Sequence, residues 1–322
     1  EGHAEVNAIA DAGDASGATA YVTLEPCSHT GKTPPCCDAL IAAQVKKVVI
    51  AMTDPNPLVS GKGIKRLQDV GIDVETGVLE AQAKALNPGF IKRMETGLPW
   101  VRVKLAMSLD GRTAMGSGES QWITGQEARS DVQRLRARSC AIVSGVDTVI
   151  TDQASLTVRA DELGIDPDIA LEAAQQQPLR VVLDSTLRLP ADAKILSQPG
   201  NTLVIAATEN TKAQQCLEQV GAEVIYLPGA NGRVDITQVI QLLSERQCNE
   251  VMIEAGATLA GALVEAKLVD QLNVYMAPTL MGSEARPLLQ LPLSTMAQQQ
   301  RLTIESMNPV GVDWRIDASL AK

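Results

Sequence analysis

The sequence predicts an α/β protein built of two domains that meet near residue 97. Short apolar runs alternate with stretches of helical periodicity along the whole chain, an alternation typical of α/β folds. Gly97-Leu98-Pro99 interrupts this alternation, because Gly and Pro break helices. At 322 residues the chain has room for two ordinary domains, although its length alone also allows one. We therefore expect one domain over residues 1–97 and another over residues 98–322.

The first domain is predicted to alternate helices with short apolar strands. In chain order its elements are a helix over 4–13, a strand at Ala20–Leu24, a loop rich in Pro and Gly through Pro35, a helix over 36–43, a strand at Lys46–Met52, a helix near 62–70, a strand around Ile72–Thr76 and a helix over about 79–94. The last helix is expected to end before the Gly and Pro of the boundary.

The second domain shows the same alternation over a longer stretch. Strands are predicted at Trp100–Leu105, Ala141–Ser144, Leu179–Asp184, Thr202–Ala207, Glu223–Leu227, Val251–Glu254 and Gln271–Ala277. Helices fall between several of them, at about 126–138, 211–220, 235–246 and 257–267. The tail, Arg301–Met307 and Val312–Ala318, alternates in the manner of a closing antiparallel hairpin.

The composition excludes several classes of function. An apolar fraction of 45% is ample for buried cores, whereas a formal net charge of −10 argues against a general nucleic-acid binder. This charge is compatible with a small anionic substrate held by a few local Lys or Arg residues. No apolar run approaches the length needed to cross a membrane. Six scattered cysteines are too few for a disulfide framework and fit a reduced cytoplasmic protein, in which some can bind metal.

The strongest chemical signal is a set of metal-binding residue types near the start of the chain. His3-Ala4-Glu5 is followed by Pro26-Cys27 and then by Pro35-Cys36. One imidazole and two thiolates suit a catalytic Zn²⁺ that keeps a fourth position for water, whose pKa the metal lowers. Glu5 is then the natural proton shuttle from this water to a departing amine. Zinc-dependent nucleobase deaminases carry such a His-x-Glu motif and a Pro-Cys pair with a second cysteine.

The predicted elements support these roles. His3 is expected in the first turn of a helix and Cys36 at the start of another, and helix N-termini stabilise thiolates. Cys37 is not assigned to zinc, since neighbouring side chains on a helix point about 100° apart. Two structural alternatives are a capping His with an exposed Glu and two buried cysteines, and a zinc site that stabilises the fold without catalysis. A structural zinc site would normally have a fourth protein ligand, and none is evident in the sequence.

The spacing of the two cysteines departs from the general deaminase signature. Eight residues separate Cys27 from Cys36, where that signature has two. The segments Pro26–Cys36 and Thr53–Pro57 closely resemble the deaminase domain of the RibD family of bifunctional riboflavin-biosynthesis proteins. Without this resemblance, the polar residues of both segments would be interpreted as ordinary turn residues. The resemblance implies a cytidine-deaminase-like three-layer fold and substrate contacts from His29, Lys32, Thr33, Asp54 and Asn56.

The second domain carries no dinucleotide fingerprint. Gly116-Ser117-Gly118 lacks the third glycine of a Rossmann motif, and Gly256–Gly261 is not followed by the Lys and Ser or Thr of a P-loop. From its residues alone, this domain is an α/β fold of unknown function. Glu254–Gly261 fits a strand running into a helix N-terminus, which suits a cofactor phosphate, or else a tight turn that needs Gly for packing.

The resemblance to the RibD family extends over nearly all of residues 100–320. Lys104–Gly111, Ser120–Thr124 and the stretch from Thr148 to Arg159 look like the reductase domain of that family. That domain has a dihydrofolate-reductase-like fold, which binds NADPH without a Rossmann fingerprint. The resemblance implies NADPH contacts from Ala106, Trp122, Thr148, Asp152, Ser185, Gly256, Ala257, Thr258 and Leu259. It implies substrate contacts from Ser120, Arg136, Leu156, Arg159 and Glu254, with Lys104 close to the reacting centre.

One feature of this domain supports the resemblance and another departs from it. Arg136 and Arg159 suit a substrate phosphate on physical grounds, because a guanidinium offers paired donors, although each is otherwise a routine surface Arg. Asp152-Gln153-Ala154 stands where the family usually has Asp-Asp-Pro before Leu-Thr. This change is expected to alter the loop shape and the role of Asp152.

The family implies two successive reactions on a small phosphorylated pyrimidine. The first domain would use Zn²⁺ to replace the 2-amino group of a diaminopyrimidinone ribosyl phosphate with oxygen. The second would use NADPH to reduce the ribosyl group to a ribityl chain. The resemblance also implies a homo-oligomer, whereas no nucleic-acid or membrane partner is expected.

Other interpretations remain at this stage. The chain begins at Glu1 inside the His-x-Glu region, so we expect upstream residues to be missing and deamination by a chain starting there to be weak or absent. If the first domain is incomplete in this way, the protein has the reductase activity alone. Another interpretation is a nucleic-acid deaminase with an unrelated appended domain, which the acidic charge, the scarce aromatic residues and the long loop between the cysteines disfavour.

Overall fold

A computed structural model describes residues 2–31 and 33–321 of the chain. It divides into two units, Glu1–Gly97 and Leu98–Lys322. Within the part of the chain that is described, no helix is long and apolar enough to cross a membrane. The predicted α/β fold class is confirmed in both units.

The first unit is built on a parallel three-stranded sheet. The strands are β1 (Thr19–Val22), β2 (Lys47–Ile50) and β3 (Asp73–Thr76), in the order β1-β2-β3. The helices are α1 (Ala4–Ala12), α2 (Cys36–Ala42), α3 (Lys62–Asp69), α4 (Glu80–Leu86) and α5 (Pro88–Thr96). Apolar side chains of β2, α2 and α3 form the core, among them the fully buried Leu40, Val48, Ile50 and Leu67. The loops that follow β1 and β2 carry most of the candidate site residues of this unit, while His3 and Glu5 lie at the start of α1.

The single helix predicted over 79–94 is wrong. The structure has two helices there, because α4 ends at Leu86 and α5 begins at Pro88. Asn87 between them has φ −132° and ψ 54°, outside the helical region. A proline clashes with the helical conformation of the residue before it and lacks the N–H that a continuing helix needs. Pro88 is well placed as the first residue of α5, where that N–H is not required.

The second unit is built on a nine-stranded sheet in the order β13-β14-β11-β4-β10-β6-β7-β8-β9. Its strands are β4 (Trp100–Ser108), β6 (Ala141–Gly145), β7 (Leu179–Leu183), β8 (Thr202–Ala206), β9 (Glu223–Tyr226), β10 (Glu250–Glu254), β11 (Gln271–Ala277), β13 (Leu302–Val310) and β14 (Asp313–Leu320). Two short strands, β5 (Arg112–Ala114) and β12 (Arg286–Pro287), pair separately. All neighbours in the large sheet are parallel except β14, which runs antiparallel to β11 and to β13. The predicted closing hairpin is confirmed.

Helices cover both faces of this sheet, as parallel sheets require. They are α6 (Gln126–Arg138), α7 (Val146–Thr151), α8 (Pro167–Gln175), α9 (Thr211–Gln219), α10 (Ile236–Glu245) and α11 (Ala257–Glu265). Val143 packs in one apolar cluster with α10 and α11, and its neighbour Ile142 packs in another with α6, α7 and α9. The sequence prediction omitted α7 and α8, although Asp166 accepts hydrogen bonds from two N–H groups at the start of α8 and Pro167 follows it.

The parallel strands bring several predicted site residues to one edge of the sheet. β6 runs into α7, β7 is followed by Ser185, and β10 is followed by Gly256 and then α11. In open parallel sheets, ligands bind outside the carboxyl ends of the strands, where loops and helix N-termini meet. The fold therefore supplies a ligand-binding edge without a glycine fingerprint.

Candidate active sites

Three metal-binding residue types converge at the N-terminal ends of α1 and α2. His3 Nδ1 lies 3.1 Å from Cys36 Sγ and 3.7 Å from Cys27 Sγ. The backbone N–H of Cys36 donates to Cys27 Sγ at 3.2 Å. His3 was predicted in the first turn of a helix; in the structure it is the N-cap residue of α1 and lies just before that turn. Cys36 is the first residue of α2, as predicted.

This group fits a zinc ion by its donor set. One ligand atom from each of His3, Cys27 and Cys36 lies within 4.8 Å of the others, and no fourth His, Cys, Asp or Glu joins them among the described residues. Three protein ligands are typical of catalytic zinc sites, which keep one position for water or substrate. Burial, the Cys27 thiol and the Glu5 carboxylate all raise the pKa of the Cys36 thiol. A divalent cation at this point would offset these effects and favour the thiolate.

The side chain of Cys37 has a different environment. Its thiol is fully buried and donates to the carbonyl of Pro26 at 3.3 Å and more weakly to that of Gly63 at 3.7 Å. Burial raises the pKa of the Cys37 thiol to about 12. Cys37 is therefore a buried hydrogen-bond donor between two backbone segments, and it is absent from the three-residue group.

Glu5 and part of the loop between the cysteines lie beside the metal-binding group. Glu5 is half-buried in the first turn of α1 and acts on Cys36 both by its charge and by a hydrogen bond. Thr33 Oγ1 lies 3.4 Å from His3 Nε2, on the other side of the ring from the cysteines. His29 is exposed, and Lys32 lies outside the described residues.

Asp54 and Asn56 lie in the loop that follows β2 in the first unit. Asp54 is buried, and its carboxylate accepts from the backbone N–H of Asn56 at 2.8 Å. Burial raises the pKa of the Asp54 carboxyl, while this hydrogen bond and the His29 ring act in the opposite direction. Both predicted substrate-binding segments therefore belong to the first unit.

A charged cluster lies in the middle of the large sheet of the second unit. Lys104 on β4 is the register partner of Glu254 on β10. Arg136 on α6 pairs with Glu254 through two hydrogen bonds, from Nε at 2.6 Å and from Nη2 at 2.9 Å. Burial lowers the pKa of the Lys104 ammonium, the Glu254 carboxylate opposes this effect, and the Arg136 charge adds to it. Although burial alone would raise it, the pKa of Glu254 lies below its ordinary value because Arg136 and Lys104 are cationic.

The other predicted substrate residues of this unit differ in how free their side chains are. Arg136 also donates from Nη1 to the Thr157 carbonyl at 3.0 Å, so three of its donors already have protein partners. Arg159 is more exposed and pairs with Glu162 at 2.6 Å. Leu156 is buried with φ 52°, an uncommon conformation for a branched residue. Of the two arginines, Arg159 has the greater freedom to bind a phosphate.

The predicted NADPH residues are spread along the carboxyl edge of the sheet. Ser120 Oγ donates to Asp152 Oδ1 at 3.3 Å, and Gln153 beside it has φ 46°, so the altered loop turns sharply. Ser185 Oγ accepts from the backbone N–H of Val234 at 3.3 Å. Ala106 is half-buried on β4, and Trp122 is 70% exposed under the guanidinium of Arg129.

The start of α11 supplies the remaining predicted NADPH residues. Gly256 is its N-cap in an extended conformation, and Ala257, Thr258 and Leu259 form the first turn. A Cβ placed on Gly256 would meet only the Thr148 hydroxyl within 4.0 Å, so the backbone is open to a ligand at this point. The unpaired N–H groups of a helix start favour a phosphate.

Sequence reasoning missed a polar network that anchors α6. Asp131 on α6 accepts from the Tyr275 hydroxyl at 2.6 Å, from Arg315 at 2.9 Å and from Arg134 at 3.0 Å. Tyr275 is fully buried on β11, and Arg315 lies on β14. The same helix carries Arg136 five residues later, so the network fixes the helix that presents Arg136 to Glu254. Contacts between such distant parts of the chain cannot be predicted from a local sequence motif.

Comparison with known proteins assigns both units. Residues 1–52 match the cytidine and deoxycytidylate deaminase zinc-binding region, and residues 99–316 match the RibD C-terminal domain. The chain thus joins a zinc-dependent deaminase to a reductase with the dihydrofolate-reductase-like fold. RibD of Escherichia coli K12 is 50% identical over 317 residues, which cover 97% of this chain and 85% of that protein. The chain belongs to the RibD family of riboflavin biosynthesis.

Solved structures support this assignment. Acinetobacter baumannii RibD is 46% identical with a TM-score of 0.90, covering 100% of this chain and 86% of that one. The Thermotoga maritima diaminohydroxyphosphoribosylaminopyrimidine deaminase and 5-amino-6-(5-phosphoribosylamino)uracil reductase is 27% identical with a TM-score of 0.82, covering 100% of this chain and 86% of that one. The predicted family and fold are confirmed.

Proposed function

We propose that the chain catalyses two successive reactions, deamination of the diaminopyrimidinone ribosyl phosphate and then reduction of its ribosyl group to a ribityl chain. The observation that carries this proposal is the presence, in one RibD-family chain, of the His3, Cys27 and Cys36 group and of a half-buried charged cluster of Lys104, Glu254 and Arg136. Zn²⁺ and NADPH are the two cofactors, and the first supplies a Lewis acid while the second supplies hydride.

In the deamination, we assign proton transfer to Glu5. Water adds across the ring C=N bond, with its oxygen on the carbon that bears the amine. Glu5 would carry one proton of this water to the ring nitrogen and the other to the amine, so that the exocyclic C–N bond breaks, ammonia leaves and a carbonyl remains. Glu5 suits this role because it is half-buried in the first turn of α1 and forms a hydrogen bond with Cys36. Asp54, Asn56 and the segment with His29, Lys32 and Thr33 would bind the ring and the phosphate.

In the reduction, we assign substrate positioning to the half-buried charged cluster of Lys104, Glu254 and Arg136. As C1′ of the ribosyl group accepts hydride, its bond to the ring oxygen of the ribose breaks, and the Lys104 ammonium would stabilise the negative charge on that oxygen and supply its proton. Glu254, held by Arg136, would orient Lys104 and the ribose hydroxyls. Ser120, Leu156 and Arg159 would hold the rest of the substrate, and Arg159 suits its phosphate.

The cofactor would lie along the carboxyl edge of the large sheet. Ala106, Trp122, Thr148, Asp152 and Ser185 would contact NADPH from the strands and loops, and the first turn of α11 would bind one of its phosphates. We also propose that the protein is cytoplasmic, since the few scattered cysteines suit a reducing compartment. By its likeness to the RibD family, we propose that it forms a homo-oligomer. The native mass in solution tests the oligomeric state.

Product analysis by mass spectrometry tests the proposal. The zinc-loaded protein is given the diaminopyrimidinone ribosyl phosphate with NADPH, and the deaminated intermediate serves as a parallel substrate. Deamination followed by reduction is the expected result. Reduction of the intermediate alone would restrict the function to the reductase, and a failure to transform either substrate would refute the proposal.

A further inference from the structure

The buried carboxylate of Glu25 collects four backbone hydrogen bonds in the first unit. Oε2 accepts from the N–H groups of Asp54 at 3.1 Å and Gly61 at 2.9 Å. Oε1 accepts from those of Gly63 at 2.8 Å and Ile64 at 3.2 Å. The side chain is almost fully buried, with 3% of the residue exposed. Its two oxygens thus connect the end of β1 to a segment about thirty to forty residues further along the chain.

Glu25 provides the N-terminal cap of α3 from outside the helix. The N-cap residue of α3 is Gly61, which has no side chain to accept from the free N–H groups of the first turn. Glu25 accepts from two of these groups, and its negative charge is favourable at the positive end of the helix. The carboxylate therefore satisfies two N–H groups of the first turn of α3 that its own N-cap residue cannot satisfy.

The start of α3 packs closely against the segment that contains Glu25 and Pro26, and this segment leads to the metal-binding group. A Cβ on Gly63 would lie 2.2 Å from the Pro26 carbonyl oxygen, so only glycine allows this approach. The Cys37 thiol donates to the carbonyls of both Pro26 and Gly63. Cys27, one of the three ligand residues, follows Pro26 directly.

Glu25 also contacts the candidate substrate-binding segment, Asp54–Asn56. The Asp54 N–H donates to Glu25, while the Asp54 carboxylate accepts from the Asn56 N–H at 2.8 Å. The Asn56 side chain in turn accepts from the Leu58 N–H at 3.0 Å. The orientation of Asp54 and Asn56 therefore depends on a backbone that Glu25 holds in place.

We propose that Glu25 is a positioning residue that sets the Asp54–Asn56 segment relative to Cys27, and hence the substrate relative to the metal. This inference rests on the proposed deaminase function of the first unit. A carboxylate is required because it only accepts hydrogen bonds, and all four partners are donors. Glutamine would direct its NH₂ group at two of these N–H groups and leave them without an acceptor.

Hydrogen exchange followed by mass spectrometry tests whether Glu25 holds this segment. In the zinc-loaded E25Q variant, we expect faster exchange over residues 53–64 and unchanged exchange over residues 47–50, the core strand β2. E75Q is the matched control, because it removes the same charge from an exposed site on β3 that pairs with Lys47. Parent-like exchange over residues 53–64 in E25Q would overturn the proposal.

Steady-state kinetics test whether this positioning matters for the substrate. With one zinc bound per chain and the reductase rate retained, E25Q is expected to lose about 100-fold in deaminase kcat/KM, an effect typical of a misplaced reacting group. E25D, which keeps both acceptor oxygens, should recover part of this loss. An E25Q variant with faster exchange over 53–64 but parent-like deaminase kcat/KM would also overturn the proposal.

Two further outcomes are separated by the same measurements. If E25Q unfolds the unit, residues 47–50 will also exchange rapidly, and E25D then decides: faster exchange over 53–64 with β2 still protected supports the proposal, and a parent-like pattern refutes it. If the parent protein itself releases no ammonia, the proposed deaminase function fails and the substrate-positioning role fails with it. Exchange over residues 53–64 still shows in that case whether Glu25 holds the segment.

Discussion

At the residue scale, we assign to Glu5 the proton transfer that the proposed deamination requires. E5Q keeps the size of the side chain but cannot accept a proton, so we expect deaminase kcat to fall by about 10³-fold. Zinc content should be unchanged, because Glu5 is not one of the three ligand residues. Ammonia release and metal analysis measure the two effects. D11N on the exposed end of α1 is the matched control, and a parent-like rate in E5Q would remove Glu5 from the mechanism.

For the reductase, the corresponding prediction concerns the charge of Lys104. K104M keeps a long side chain without the charge, and we expect the reductase kcat to fall about 100-fold because charge on the reacting oxygen is no longer stabilised. NADPH affinity should change little, which fluorescence titration of the cofactor can measure. K194M, on an exposed residue of the same unit, should retain the parent rate. A loss of NADPH affinity without a change in kcat would place Lys104 in cofactor binding instead.

The predictability of single residues depended on whether their chemistry is local in sequence. His3, Cys27 and Cys36 were evident because metal ligands have few residue types and characteristic spacing, and the structure brings them together. Glu25 was missed, although a charged residue between an apolar strand and a ligand cysteine was a usable signal. Its four partners are backbone N–H groups, which leave no pattern in the side chains.

At the scale of elements, α6 depends on the Asp131 network. Although burial alone would raise it, hydrogen bonds from Tyr275 and Arg315 and the Arg315 charge hold the pKa of Asp131 below its ordinary value. A carboxyl whose pKa is lowered on folding stabilises the protein above its unfolded pKa of about 4. This stabilisation is lost as the pH falls through the lower, folded pKa.

Replacing Asp131 should therefore have an effect that depends on pH. At pH 7 we expect D131N to lower the free energy of unfolding of the second unit by about 3 kcal/mol, since Arg315 loses a buried partner. Below pH 4 the difference from the parent should shrink. Trp fluorescence during urea unfolding reports this unit alone, because Trp100, Trp122 and Trp314 all lie in it. D161N is the exposed control, and an equal difference at pH 7 and pH 3 would contradict the prediction.

Elements were predictable where periodicity was long and unambiguous. The alternating tail gave the hairpin of β13 and β14, and the apolar runs gave the parallel strands of the second unit. The helix over 79–94 was wrong because its periodicity continued across Asn87-Pro88, where the proline forbids a continuous helix. The strand order could not be predicted, since β10 enters between β4 and β6 through contacts that are distant in sequence.

At the scale of the whole molecule, the two proposed activities have separate chemical requirements. The three candidate zinc ligands belong to Glu1–Gly97, whereas Lys104, Arg136 and Glu254 belong to Leu98–Lys322. Three protein ligands leave one position on the ion open, so a chelator such as 1,10-phenanthroline should be able to bind the ion and remove it. We expect ammonia release from the diaminopyrimidine substrate to stop, while the deaminated intermediate is still reduced at the full rate.

The same treatment also tests the order of the reactions. With the diaminopyrimidine as the only substrate, NADPH oxidation should stop on chelation, because the reductase then receives no deaminated intermediate. Adding Zn²⁺ back should restore both ammonia release and NADPH oxidation, which excludes direct damage by the chelator. If the zinc-free protein oxidised NADPH with the diaminopyrimidine, reduction would not require prior deamination and the proposed order would be wrong. If chelation also stopped reduction of the intermediate, the second unit would depend on the metal, although no metal-binding group is found among its described residues.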